Sequence, residues 1–151
     1  GRDFSVIIDY AHTPDSLENI LSTVREYASG KVVCVFGCGG DRDNAKRPIM
    51  GEISGRLADY TVITSDNPRT EDPDSIIRQI EAGIKMTNGR YICITDRREA
   101  IRHALVSAGK GDVLVLAGKG HETYQTFGDK TVHFDEREVV RELLEELYNR
   151  S

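Results

Sequence analysis

Apolar residues in this chain gather in five short runs, with stretches of helical period between them. Val6-Ile7-Ile8 reads as a first buried strand, and residues 32–36, 60–64, 91–94 and 113–116 repeat the pattern. The run Val32-Val33-Cys34-Val35-Phe36 is apolar at every position, as a strand covered on both faces must be. After the first strand, Leu17, Ile20, Leu21 and Val24 fall at i, i+3, i+4 and i+7, on one helical face. Thr13 is placed to cap that helix, Pro14 to open it and Gly30 to end it. Pro48 opens a second helix with Ile49, Ile53 and Leu57 facing inward. Asp72-Pro73 opens a third carrying Ile76, Ile77, Ile80 and Ile84. Asp96 with Glu99 forms a capping-box pattern ahead of Ile101 and Leu105. Residues 124–127 and 130–134 read as a hairpin around Gly128-Asp129. Asp135 with Glu138 caps a last helix whose Val139, Val140, Leu143 and Leu147 face inward.

Strands alternating with helices predict an α/β fold, a three-layer α/β/α sandwich around a mostly parallel, Rossmann-like sheet with right-handed crossovers. No linker, repeat or low-complexity stretch interrupts it, so residues 1–151 read as a single domain. The first residue, Gly1, precedes a strand almost at once, which suggests a fragment of a longer protein or, equally, a processed or tagged start. Composition narrows the partners. The net charge of −5 argues against general nucleic-acid binding, which needs a basic face. No apolar run approaches the roughly 18 residues of a membrane span. Cys34, Cys38 and Cys93 form no C-x-x-C pair, Cys34 and Cys93 read as inert core thiols, and a reducing, cytoplasmic setting fits.

Chemistry concentrates in four polar segments that each follow a strand. In an open parallel sheet such loops meet at one edge. Asp66-Asn67-Pro68-Arg69 is held extended by its proline. It offers a carboxylate for an ammonium and a guanidinium for a carboxylate, a pairing that suits a free amino acid. An ordinary polar turn explains the same residues. Gly37-Cys38-Gly39-Gly40-Asp41-Arg42 fits neither G-x-G-x-x-G nor a P-loop, and tight packing accounts for its glycines as well as a ligand does. Arg42 adds a second guanidinium, with Lys46 and Arg47 close behind. In Gly118-Lys119-Gly120-His121-Glu122, Glu122 would hold an ammonium, or else Lys119 and Glu122 are solvated loop charges. The adjacent His121 and Glu122 diverge, so no metal site is expected. Asp9 and His12 flank Tyr10-Ala11, which carry no signal of their own. The pair reads as ligand-contacting, or as a locally bonded Asp and a partly buried His.

Taken in order, these segments resemble the C-terminal domain of the Mur ligase family over nearly the whole chain. The match runs through Asp9-Tyr10-Ala11-His12-Thr13-Pro14, Gly37 to Asp43 with Lys46-Arg47-Pro48, Asp66-Asn67-Pro68-Arg69 and Gly118 to Glu122. The Asp-Asn-Pro-Arg motif is similar to that of members that add meso-diaminopimelate. The resemblance implies an ATP-dependent ligase of peptidoglycan synthesis, acting on UDP-N-acetylmuramoyl-L-alanyl-D-glutamate through an acyl phosphate. It assigns diaminopimelate contacts to Arg42, Asp66, Asn67, Pro68, Arg69, Gly118 and Glu122, and nucleotide-facing positions to Asp9 and His12. It also puts the fifth strand between the first and second. ATP and Mg2+ would be bound mainly by a central domain, and the partners would be that domain and the N-terminal domain of the same enzyme. Residues 1–151 alone would then have no ligase activity. A flavodoxin-like binding domain, another amide ligase of folylpolyglutamate or cyanophycin synthetase type, and a nicotinamide-binding Rossmann domain are the alternatives.

Overall fold

The computed structural model describes residues 3–148. Strands β1 (Ser5–Asp9), β2 (Val32–Phe36), β3 (Tyr60–Ile63), β4 (Arg90–Cys93) and β5 (Val113–Ala117) form one sheet in the order β1-β5-β2-β3-β4. Every pairing in it is parallel, and β5 lies between β1 and β2 as expected. Helices α1 (Pro14–Tyr27), α2 (Lys46–Leu57) and α3 (Pro73–Ile84) cover one face, while α4 (Arg97–Val106) and α5 (Glu136–Tyr148) cover the other. Strands β6 (Tyr124–Phe127) and β7 (Lys130–His133) form a separate antiparallel hairpin turning at Gly128.

Alternation along the strands splits the core in two. Cys34, Phe36, Val113 and Val115 face α1 to α3, whereas Val33, Val35, Leu114 and Leu116 face α4 and α5. Each apolar side chain removed from water in this way contributes roughly 1.5–3 kcal/mol. The helix signals act as read: Thr13 caps α1 through the Ser16 amide, and Asp96 accepts from the Arg98 and Glu99 amides.

Three expectations need correction. Helix α2 begins at Lys46, which puts Pro48 inside its first turn, where a missing N–H costs no intrahelical bond. Its buried face is Arg47, Met50, Gly51, Ser54 and Gly55, and Ile49 is 48% exposed. Backbone contact with α3 explains this: a Cβ on Gly51 would lie 2.1 Å from the Ile80 carbonyl, and one on Gly83 1.8 Å from that of Pro48. Helix α1 ends at Tyr27, with Ala28 extended, so Gly30 does not stop it. Gly30 instead lets the chain pass against Gly111 and Asp112. Cys93 is exposed rather than buried, because β4 is an edge strand shifted one residue toward the N-terminus of the expected run.

Candidate functional site

Strands β1, β2, β3 and β5 end side by side, so the four polar segments meet at one edge of the sheet. They enclose a cleft of about 510 Å³ lined by His12, Arg42, Asp66, Asn67, Arg69, Gly118 and Glu122. Arg69 and Glu122 thus share one cavity. Asp9 and Pro68 are not among the lining residues. Asp9 Oδ1 accepts from the Ala11 amide at 2.8 Å, and the Pro68 carbonyl accepts from the Glu71 amide at 3.0 Å.

Two segments are braced against each other. Gly40 donates its amide to the Asn67 carbonyl at 2.8 Å, and a Cβ on Gly40 would lie 1.8 Å from the Pro68 carbonyl. At that position, close backbone approach accounts for the glycine. Arg69 has φ of 53° and Asp41 φ of 56°, left-handed values that cost a non-glycine residue about 1–3 kcal/mol. Both are held from outside. The Arg69 amide donates to the Thr126 carbonyl at 3.1 Å, and Asp41 accepts from the Thr70 hydroxyl at 2.5 Å.

The arginines divide into two kinds. Arg47 is fully buried, and its guanidinium donates to Glu71, Gln79 and the Gly39 carbonyl. Arg97 is buried on the opposite face and donates to Glu136, to the Ser65 carbonyl at 2.9 Å and to the Ala117 carbonyl at 3.0 Å. Those two carbonyls directly precede Asp66 and Gly118. By contrast, Arg69 Nη1 donates to the carbonyls of Gly40 and Asn67, and Arg42 Nη1 to that of Asp41. Neither has a carboxylate within ion-pair distance among the described residues. Among the described residues, two positive forks therefore line the cleft without a carboxylate partner.

Lys119 departs most from the reading of a solvated loop charge. It is 0% exposed. Its ammonium donates to Asn67 Oδ1 at 3.1 Å and to the Tyr124 carbonyl at 2.8 Å, and it lies 3.3 Å from Asp66 Oδ1 and 3.9 Å from Glu122 Oε1. Burial pushes its pKa down, opposed by Asp66. Gly118 has φ of 114°, and a Cβ there would lie 2.9 Å from Asp66 Oδ2. Sequence reasoning also missed Tyr10, which lines the cleft with its ring 4.6 Å from that of His12, and Tyr124. Lys46 lines the cleft as well, donating to the His12 carbonyl at 2.9 Å. Cys38 lines it too, its thiol pushed up to about 12 by burial.

Glu71 couples this site to pH. Hydrogen bonds from Arg47, then one from the Asp41 amide, hold its carboxyl at about 2. A lowered folded-state pKa stabilises above the unfolded value near 4.5, and that contribution is lost as pH falls through about 2. Hydrogen exchange at the Asp41 amide is therefore expected to accelerate across that window, beyond the intrinsic pH trend. Glu71→Gln should remove the dependence, and an unchanged profile in that variant would refute the coupling.

A family model described as "Mur ligase, glutamate ligase domain" matches residues 1–120. The chain is 62% identical over 146 residues to the UDP-N-acetylmuramoyl-L-alanyl-D-glutamate–2,6-diaminopimelate ligase of Caldanaerobacter subterraneus subsp. tengcongensis, covering 97% of this chain and 30% of that relative. It is 58% identical to the corresponding ligase 1 of Clostridium acetobutylicum, again over 97% of this chain and 30% of the relative. A solved structure of a ligase of that name superposes with a TM-score of 0.92 at 42% identity, covering 97% of this chain and 30% of the solved one. The chain thus spans under a third of the length of these relatives.

Proposed function

The chain belongs to the Mur ligase family, glutamate ligase domain, and from that premise we propose that it is the amino-acid-binding C-terminal domain of an ATP-dependent ligase joining meso-diaminopimelate to UDP-N-acetylmuramoyl-L-alanyl-D-glutamate in peptidoglycan synthesis. One observation carries the reading: Arg42 and Arg69, both without a carboxylate partner among the described residues, line the same cleft as Asp66 and Glu122. Diaminopimelate carries two ammonium and two carboxylate groups, and lysine lacks the distal carboxylate. Each arginine supplies a fork for a carboxylate, and Glu122 and Asp66 accept from ammonium groups. Asn67 and Gly118 line the wall between them, and Pro68 holds the loop extended behind it. The amine so held attacks the acyl phosphate of the glutamate γ-carboxyl, the amide bond forms and phosphate departs.

His12 lines the cleft and Asp9 ends β1, positions we assign to the side facing ATP. In this reading ATP and Mg2+ are bound mainly by the central domain, as membership of the Mur ligase family implies. Residues 1–151 are one domain in this reading, with the central and N-terminal domains as partners in the same cytoplasmic enzyme. No helix among the described residues is long and apolar enough to cross a membrane.

Phosphate release from ATP by the intact enzyme should require diaminopimelate along with the UDP-linked dipeptide, and lysine should substitute poorly. Residues 1–151 alone should turn over no ATP. Equal use of both amino acids by the intact enzyme would overturn the substrate assignment.

A further inference from the structure

Lys119 is a charged group that the reading above leaves without a role, and its surroundings define one. It is wholly buried, yet it sits on a loop after β5 rather than in either hydrophobic core. Its three closest oxygens come from two separate segments: Asp66 Oδ1 and Asn67 Oδ1 after β3, and the Tyr124 carbonyl at the start of β6. Asn67 Oδ1 also accepts from the Thr126 amide at 2.9 Å, and Gln125 donates to the Asp66 carbonyl at 2.7 Å. The β3 loop is therefore sewn to the hairpin, with an ammonium at the seam.

We propose that Lys119 is a positioning residue for amino-acid binding: it fixes Asp66 through Oδ1, so that Asp66 Oδ2 is presented to the cleft past the bare Cα of Gly118. The geometry supports both halves. Oδ1 lies toward the Lys119 ammonium, and Oδ2 is the oxygen that a Cβ on Gly118 would crowd at 2.9 Å. Losing the ammonium leaves a nearly buried carboxylate without its cation, which is costly because water cannot replace the partner. Asp66 then has reason to turn away from the cleft or to recruit a solvent cation, and either change weakens its grip on the substrate. Lys119 does not touch the reacting atoms and acts through Asp66.

This inference rests on the proposed substrate, and the test separates the two. In the intact ligase, Lys119→Met is expected to raise KM for meso-diaminopimelate by about tenfold or more, with KM for ATP unchanged within about twofold, since tenfold in affinity corresponds to one lost charge-assisted contact of about 1.4 kcal/mol. Because Lys119 works through Asp66, the double variant Asp66→Asn with Lys119→Met should be no worse than Asp66→Asn alone. Lys119→Gln, which keeps a donor without the charge, carries the same test if the methionine variant is insoluble. Equal rises in KM for both substrates, or additive losses in the double variant, would show Lys119 to be a packing group and overturn the proposal. A wild-type enzyme that does not use diaminopimelate would instead sink the substrate assignment.

Discussion

Replacing Arg69 with alanine in the intact ligase is expected to lower kcat/KM for meso-diaminopimelate by about 30-fold or more, and that for lysine far less. A charge-paired group stripped of its partner costs roughly 2–5 kcal/mol, and about 1.4 kcal/mol is tenfold. The distal carboxylate of diaminopimelate would lose its guanidinium, whereas lysine never had that carboxylate. Arg69 has a second job that affects both substrates: its Nη1 holds the Gly40 carbonyl and reinforces the turn at Asn67. The left-handed backbone at 69 also stays strained with alanine there, since alanine too has a Cβ. Those losses are common to both amino acids and cancel in the ratio of their kcat/KM values. Steady-state kinetics with each amino acid reads that ratio, and an unchanged ratio would remove Arg69 from the role of distal-carboxylate ligand.

How much of this was visible beforehand depends on whether a residue's role is local. Strands β2 and β5 were legible because both faces are covered, so their sequences are apolar throughout. The cleft was legible because parallel pairing sends every strand's C-terminal end to the same edge, whatever the loops contain. Helix α2 was misread at Ile49 because much of its buried face is small: Gly51, Ser54 and Gly55 do not register in a hydrophobic pattern, while exposed Ile49 does, although Ile53 and Leu57 pack against the core as expected. Lys119 and Arg97 were missed for a different reason. A long charged side chain is usually solvated, and only its partners reveal otherwise. Those partners, Asp66 and Asn67 for Lys119 and Glu136 for Arg97, are dozens of residues away. The glycines flanking Lys119 were the available hint, because they leave room for the chain to fold over it.

The pair of Arg97 with Glu136 carries the second large expectation, and it concerns the architecture beneath the site. Both side chains are 0% exposed, and Arg97 Nε donates to Glu136 Oε2 at 2.7 Å. Glu136→Ala strands a buried guanidinium and is expected to cost about 3–5 kcal/mol of stability. Hydrogen exchange of β5 amides, protected until the core opens, measures it. The pair itself is not an optimum, since Glu136 Oε1 finds no hydrogen-bond partner among the described residues. Replacing both members with apolar residues, Arg97→Met with Glu136→Leu, should therefore recover much of the loss, because no buried charge is left unpaired. Recovery should stay incomplete, because the Ser65 and Ala117 carbonyls lose their guanidinium donor. Those carbonyls sit one residue before Asp66 and Gly118, so the double variant should regain stability without regaining affinity for diaminopimelate. If it binds diaminopimelate like the wild type, Arg97 is only a core charge. If it is less stable than Glu136→Ala alone, desolvation is not what dominates the cost. The expected outcome, a restored fold with a weakened site, would show that Arg97 ties the two binding loops to the sheet from below.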